Sequence, residues 1–424
     1  MERPRCCKVI ETIRNAWRIP DLRRKLLFTV FILVIYRLGN AIPVPFINVE
    51  VLQGVFESLQ DTMLGMINIM SGGAFSQGTI FALSIQPYIN ASIIMNLLTV
   101  GIPALERMQK EGGEEGKKKI AAITRYATVG LGLLMGYGYY MILRGNGVVT
   151  DASFMTAATI VVTFTAGSAF IMWLGEQITE FGIGNGISII LFASIVSRGP
   201  SMVMAALAMT WWQVLAILAL ALVIVAFVVF ITNAERRIPM QYAKRVVGRK
   251  VYGGQSTHLP LKVNMSGVMP IIFAQAIASF PATIASFIPG ASDAVNKWFG
   301  ATSWIYAGVY LLLIIGFSYF YQAIQFNPVE IANNLKQNGG FIPGFRPGKP
   351  TADFIKKVLN KITLFGALFL GVIAVLPIVM NNFVKVSGLA LGGTSVLIVV
   401  GVALETVKAI EAQMLMRRYK GFLE

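Results

Sequence analysis

Side chains able to do chemistry are scarce in this 424-residue chain, and none of their spacings completes a reactive constellation. The one histidine, His258, stands in a basic segment away from any Cys or carboxylate cluster that would close a zinc site, and no HExxH run occurs. No GxxxxGKS/T loop is present to cradle phosphates. Gly182, Gly184 and Gly186 fall short of GxGxxG and follow an apolar segment instead of a strand, so they read as a flexible turn. A serine–histidine pair inside an apolar segment is excluded, because none of these segments contains His. Glu405 is the main carboxylate within an apolar run, and Lys408, three residues on, is placed to pair with it structurally on one helical face. Arg37 and Arg125 lie near the ends of apolar segments, where long side chains snorkel. Ion-coupled transport needs Asp, Glu or His buried near a membrane midplane, which is missing here. The residues therefore predict a passive device, without cofactor or metal, that something else drives.

The elements around these residues are apolar and long. A bilayer core of roughly 30 Å needs about 20 apolar residues per helical span. Ten such segments are legible, at 24–42, 78–103, 120–142, 154–174, 186–205, 212–232, 265–288, 303–326, 361–380 and 392–414. Hydrophobic residues make up 55% and charged residues 13%, with mean hydropathy +0.67 and net charge +16, which excludes a soluble architecture. The expected fold is an all-α polytopic membrane protein. Arg3, Arg5, Lys8, Arg14, Arg18, Arg23, Arg24 and Lys25 precede the first segment, and later Lys and Arg collect in alternate gaps. By the positive-inside rule both termini are expected in the cytoplasm. The first apolar stretch is one of many and is expected to be retained as a span. Cys6 and Cys7 fall on that reducing side and read as incidental thiols instead of acylation sites.

Some segments are not simple spans. The apolar run within Asp61–Gly73 is too short to cross a bilayer and ends in the paired glycines Gly72 and Gly73, a hinge. It reads equally as a re-entrant, pore-occluding helix and as an interfacial one. The second segment carries Pro87, expected to bend it, with Gln86, Asn90, Ser92 and Asn96, which lipid would penalise. Ile85, Ile89 and Ile93 form one stripe along it, and Ile187 and Leu191 make a similar pair after the glycine-rich turn. Pro270, Gln275 and Pro281 suggest that the seventh segment is broken and borders a cavity or moves against a neighbour. Two basic loops, 233–264 and 327–360, suit docking of an acidic protein face or of RNA phosphates better than lipid head groups.

Ordered motifs along the chain resemble the SecY family of protein-conducting channels. They are Ile42-Pro-Val-Pro45, Met70-Ser-Gly-Gly-Ala74, Pro87-Tyr-Ile-Asn-Ala-Ser-Ile93, Gly175-Glu-Gln-Ile-Thr-Glu180 with Gly182-Ile-Gly-Asn-Gly-Ile-Ser188, Gln255 to Asn264, Phe326-Asn-Pro328 and Gly392-Gly-Thr-Ser395. The resemblance extends from about Ile19 to the C-terminus, whereas Met1 to Lys8 departs from it.

The resemblance implies ten helices in two pseudo-symmetric halves, 24–205 and 206–414, between a segment 1–23 and a tail 415–424. It implies a bacterial plasma-membrane channel that passes unfolded secretory polypeptides and releases membrane segments into lipid. It places an apolar pore ring on Ile85, Ile89, Ile187, Leu191, Ile272 and Ile398. The short helix matches the family's plug, with Met63, Leu64, Met66, Ile67, Ile69 and Met70 leading to the hinge. Asn96, Thr128 and Gln275 match a lateral gate between the second and seventh spans, where cross-helix hydrogen bonds are expected. Arg249, Lys250 and Arg346 match the docking sites of a motor ATPase, SecA, or a ribosome, with ribosomal RNA contact in the latter case. Two small subunits, SecE and SecG, and substrates bearing signal sequences are the further implied partners. A small-solute transporter working by alternating access is the competing reading, and the missing midplane carboxylates argue against it.

Overall fold

The computed structural model of the protein describes residue 14 and residues 16–58, 63–110, 112–151, 153–200, 204, 210–242, 245–247, 250–252, 256–264, 267–285, 303–384 and 392–420. Helix α1 (Pro20–Gly39) is followed by the short helices α2 (Val49–Ser58) and α3 (Met63–Met70). Then come α4 (Gln86–Gly101), α5 (Pro103–Lys110), α6 (Gly113–Gly145), α7 (Phe154–Phe181), α8 (Gly186–Val196) and α9 (Trp211–Asn233). Four strands follow, β1 (Glu235–Tyr242), β2 (Arg245–Val247), β3 (Lys250–Tyr252) and β4 (Ser256–Lys262). The chain continues through α10 (Met269–Ala285), α11 (Trp304–Gln325), α12 (Pro328–Gln337), β5 (Gly340–Phe341), α13 (Lys349–Val384) and α14 (Gly392–Lys420).

Each of the ten predicted apolar segments overlaps a helix, though their bounds differ. Among the described residues four helices are individually long and apolar enough to cross a bilayer, or five if the pair bent by 104° at Ile102 counts as one span. Outward faces carry the apolar surface that lipid requires: Phe31, Leu38, Leu134, Leu222, Phe230, Leu312 and Phe365 are all exposed. Helices α1, α4, α6, α7 and α8 pack among themselves, as do α9, α10, α11, α13 and α14. The two groups meet at α8 against α14 and at α4 against α10, and α3 lies against α8 and α10.

Several local expectations are corrected. Residues 71–85 are turns, so the second helix starts at Gln86 with Pro87 in its first turn. There a proline lacks no needed N–H and its fixed φ suits helix entry, so it initiates the helix and does not bend it. Pro270 is likewise the second residue of α10, and Pro281 lies within a helix that continues unbroken to Ala285. The basic loops are not loops throughout. Strand β1 pairs antiparallel with β4, in register Ile238 with Leu259, and also with β5, Gln241 opposite Phe341. Alternation along Glu235–Tyr242 buries Ile238 and Met240, which join Leu261, Leu335, Ile342, Ile355 and Leu359 in a separate small core. Helix α13 has 36 residues, roughly 54 Å at 1.5 Å per residue, so its N-terminal turns extend past the bilayer core to supply Ile355 and Leu359.

Candidate functional site

The turn before α8 fixes one side of the site. Asn185 caps the helix, its Oδ1 accepting from the N–H groups of Ile187 at 3.1 Å and Ser188 at 3.5 Å. The Gly186 N–H donates to Thr179 Oγ1 at 3.0 Å, and a Cβ on Gly186 would overlap the Gly175 carbonyl. The glycine-rich stretch is thus a docked capping turn, a correction to the flexible turn expected. Its fixed geometry aims Ile187 and Leu191 inward.

Ile85, at the entry to α4, and Ile89 one turn on are buried, as are Leu191 of α8, Ile272 of α10 and Ile398 of α14. Half-buried Ile187 packs on the same cluster. Four helices drawn from both groups therefore contribute these six side chains to one contiguous apolar cluster. Ile69 and Met70 belong to it too, so the end of α3 lies inside the assembly and not on its outer surface. The side chains of Met63, Leu64, Met66 and Ile67 lie outside the described residues.

The chain leaving α3 is held by hydrogen bonds and ring contacts. Ser71 Oγ donates to the Asn68 carbonyl at 3.0 Å and accepts from the Phe75 N–H at 3.1 Å, while Asn68 Oδ1 accepts from the Ser76 N–H at 3.0 Å. Tyr36 of α1 shares a 2.7 Å hydrogen bond with Ser194 of α8 and stacks on Phe81. Tyr139 of α6 donates to the Phe75 carbonyl and stacks on the Phe75 ring. Gly72 has φ +69° and faces the Ser194 carbonyl and Ser197 hydroxyl, whereas Gly73, at φ +89°, meets open space. These contacts fix the junction at Gly72 against α8. At the end of α3, Met70 Sδ accepts from Gln86 Nε2 at 3.3 Å and from Gln275 Nε2 at 3.2 Å.

Of the three gate residues expected from the motifs, Gln275 thus bonds to α3. Thr128 is buried, and its hydroxyl donates to the Thr124 carbonyl of its own helix at 2.8 Å, which corrects the cross-helix bond expected of it. Asn96 is half-buried on α4. Sequence reasoning missed Tyr36, Asn68, Ser194 and the role of Gln86. It also missed Glu176 of α7, which accepts from Arg125 Nε of α6 at 2.9 Å, so Arg125 is paired instead of simply snorkelling. The signal for that pair was the carboxylate in Gly175-Glu-Gln. Glu405 and Lys408 do interact electrostatically, with Lys262 of β4 beside them.

A family model described as SecY matches residues 79–407. The chain belongs to the SecY family. A protein translocase subunit SecY from Streptomyces galbus is 46% identical over an alignment 444 positions long, covering 98% of this chain and all of that relative. Among solved structures, one describing how the plug domain of SecY stabilises the closed state of the translocation channel and maintains a membrane seal aligns with TM-score 0.63 at 20% identity, over 92% of each chain. Sec61 in the canine ribosome–channel complex from the endoplasmic reticulum aligns with TM-score 0.59 at 19% identity, also over 92% of each chain.

In this SecY family member the two basic segments are joined by backbone pairing. Strand β5 joins the second basic segment to the first, and the small core beneath them rests on α13. Arg346 is exposed, and its carbonyl accepts from Thr351 Oγ1 at 2.8 Å, which fixes its turn. Lys250 lies in β3, opposite Val247, and Arg249 lies outside the described residues. His258 is exposed on β4, opposite Pro239, far from a ligand set: among the described residues no group of His, Cys, Asp and Glu suits a metal ion.

Proposed function

We infer that this chain is a passive protein-conducting channel, which passes unfolded secretory polypeptides through the apolar cluster and releases membrane segments sideways between α4 and α10. The observation that carries this reading is the construction of the cluster. Its collar residues come from both helix groups, and the tip of α3 occupies it. Branched apolar side chains offer an ion no substitute for its hydration, so a narrow collar of them dewets and blocks conduction. They also give way around any passing sequence without demanding specific hydrogen bonds. On this reading residues 24–205 and 206–414 are the moving halves, Ile85, Ile89, Ile187, Leu191, Ile272 and Ile398 form the ring, and α3 is the plug. Gln275, Asn96 and Thr128 line the gate.

The chain does no chemistry itself, so the driving force comes from a partner on the basic face. A SecA-type ATPase and the ribosome are the partners proposed, docking at Arg249, Lys250 and Arg346, with a clamping SecE and a peripheral SecG beside the helices. Ribosome-bound Sec61 supports a ribosome partner at the level of fold. The bacterial SecY relatives support a bacterial plasma-membrane location, and the charge asymmetry supports cytoplasmic termini. The test is reconstitution of the complex built on this chain into vesicles with motor, ATP and a signal-bearing precursor. Precursor protected from external protease, only when all three are present, is the expected result; uptake of small solutes without protected precursor would overturn the reading.

A further inference from the structure

The sulfur of Met70 sits where three moving parts meet. Gln86 is the first residue of α4, directly after collar residue Ile85, and Gln275 stands one turn beyond collar residue Ile272 in α10. Both amides donate to the same thioether, at 3.3 and 3.2 Å, and all three side chains are buried within or beside the apolar cluster. Gln275 Oε1 has no partner among the described residues, so its Met70 contact is the polar bond holding that amide. A thioether is a weak acceptor, and its value here lies in what happens without it. Two buried amide donors would face hydrocarbon, and a lone unsatisfied donor is far more unfavourable than a pair replaced by apolar groups on both sides.

We propose that Met70 is a latch residue: its thioether is the shared acceptor that joins the tip of α3 to both α4 and α10, and the loss of that acceptor, not of apolar volume, unseats the plug. This deepens the channel reading and rests on it. The latch couples two events. Parting α4 from α10 removes one donor from the sulfur, and withdrawing α3 removes the acceptor from both donors, so each motion eases the other. Met70 is thereby a positioning residue of the closed state. Leucine nearly matches methionine in volume and is itself apolar, so packing alone would tolerate Met70→Leu, whereas the latch would not.

The experiment compares resting ion conductance of the purified complex in planar bilayers, without motor or precursor. Four forms are needed: the unmodified chain, Met70→Leu, the triple variant Met70→Leu with Gln86→Leu and Gln275→Leu, and a deletion of residues 63–70. Yield and melting temperature of each complex exclude misfolding. The latch predicts that Met70→Leu raises conductance at least tenfold and that the triple variant returns it to near the unmodified level. A tight Met70→Leu alongside a leaking deletion overturns the latch and leaves the plug reading standing. Equal leak from Met70→Leu and the triple variant also overturns it, since shape alone would then be responsible. A deletion that does not leak refutes the plug reading itself, and the latch with it.

Discussion

Substituting Gly72 by Ala separates a fixed plug anchor from a free hinge. Gly72 and Gly73 are adjacent and both left-handed, at φ +69° and +89°, yet their surroundings differ. A Cβ on Gly72 would lie 2.9 Å from the Ser194 carbonyl oxygen and 2.9 Å from Ser197 Oγ, while one on Gly73 would meet nothing within 4 Å. The left-handed backbone penalty of roughly 1–2 kcal/mol applies to both substitutions. Overpacking adds about 1–3 kcal/mol at Gly72 alone, because the Ser194 oxygen belongs to the backbone of α8 and cannot swing aside. If displacement of α3 relieves that strain, the seated population in Gly72→Ala falls about 5- to 150-fold below that in Gly73→Ala. Resting conductance of the purified complex in planar bilayers, recorded without motor or precursor, reads the difference directly. Equal leak from the two variants, or a silent Gly72→Ala beside a leaking Gly73→Ala, would refute the idea that α8 holds this junction.

The remaining expectations are as specific. Leu261→Ala opens a cavity in the small core under the sheet, destabilising it by about 2–5 kcal/mol; limited proteolysis should then cut near the β1–β4 hairpin while the apolar helices stay protected, and unchanged cleavage would argue against a separately stabilised platform. Arg346→Glu should weaken motor or ribosome binding severalfold without altering membrane insertion, so equal partner affinity in a sedimentation assay contradicts the docking assignment. Thr128→Val should leave resting conductance unchanged, because the hydroxyl serves its own helix; an increased leak would place its bond across the gate.

The helices themselves were legible because membrane insertion demands an apolar length that composition alone reveals. The turn chemistry was not. Pro87 reads as a bend when the second apolar segment is taken to start at residue 78, and the true start at Gln86 depends on tertiary bonds to residues 71–85, such as the one from Tyr139 to the Phe75 carbonyl. Gly182 to Gly186 reads as flexible because glycine permits flexibility, whereas here close approach to Gly175 is what requires it. The small sheet is short, interrupted and assembled from segments about 100 residues apart, so both of its segments read as loops in the sequence. The residues proposed for the collar were assigned through motifs; spacing alone marked Ile85, Ile89 and Ile93 as ordinary packing. The Met70 contacts were invisible to either approach, since a methionine beside two glutamines in space leaves no mark on their order in the chain.

The most direct test of the central claim places a photo-crosslinking amino acid at Ile89, in the collar, and another at Leu98, exposed on the same helix α4. Each form is assembled with its motor or ribosome and given a stalled secretory precursor. The account predicts that the precursor is captured at Ile89 and that Leu98 reacts with lipid or neighbouring subunits instead. Efficient assembly without capture at Ile89, or equal capture at both positions, would contradict a polypeptide path through this collar.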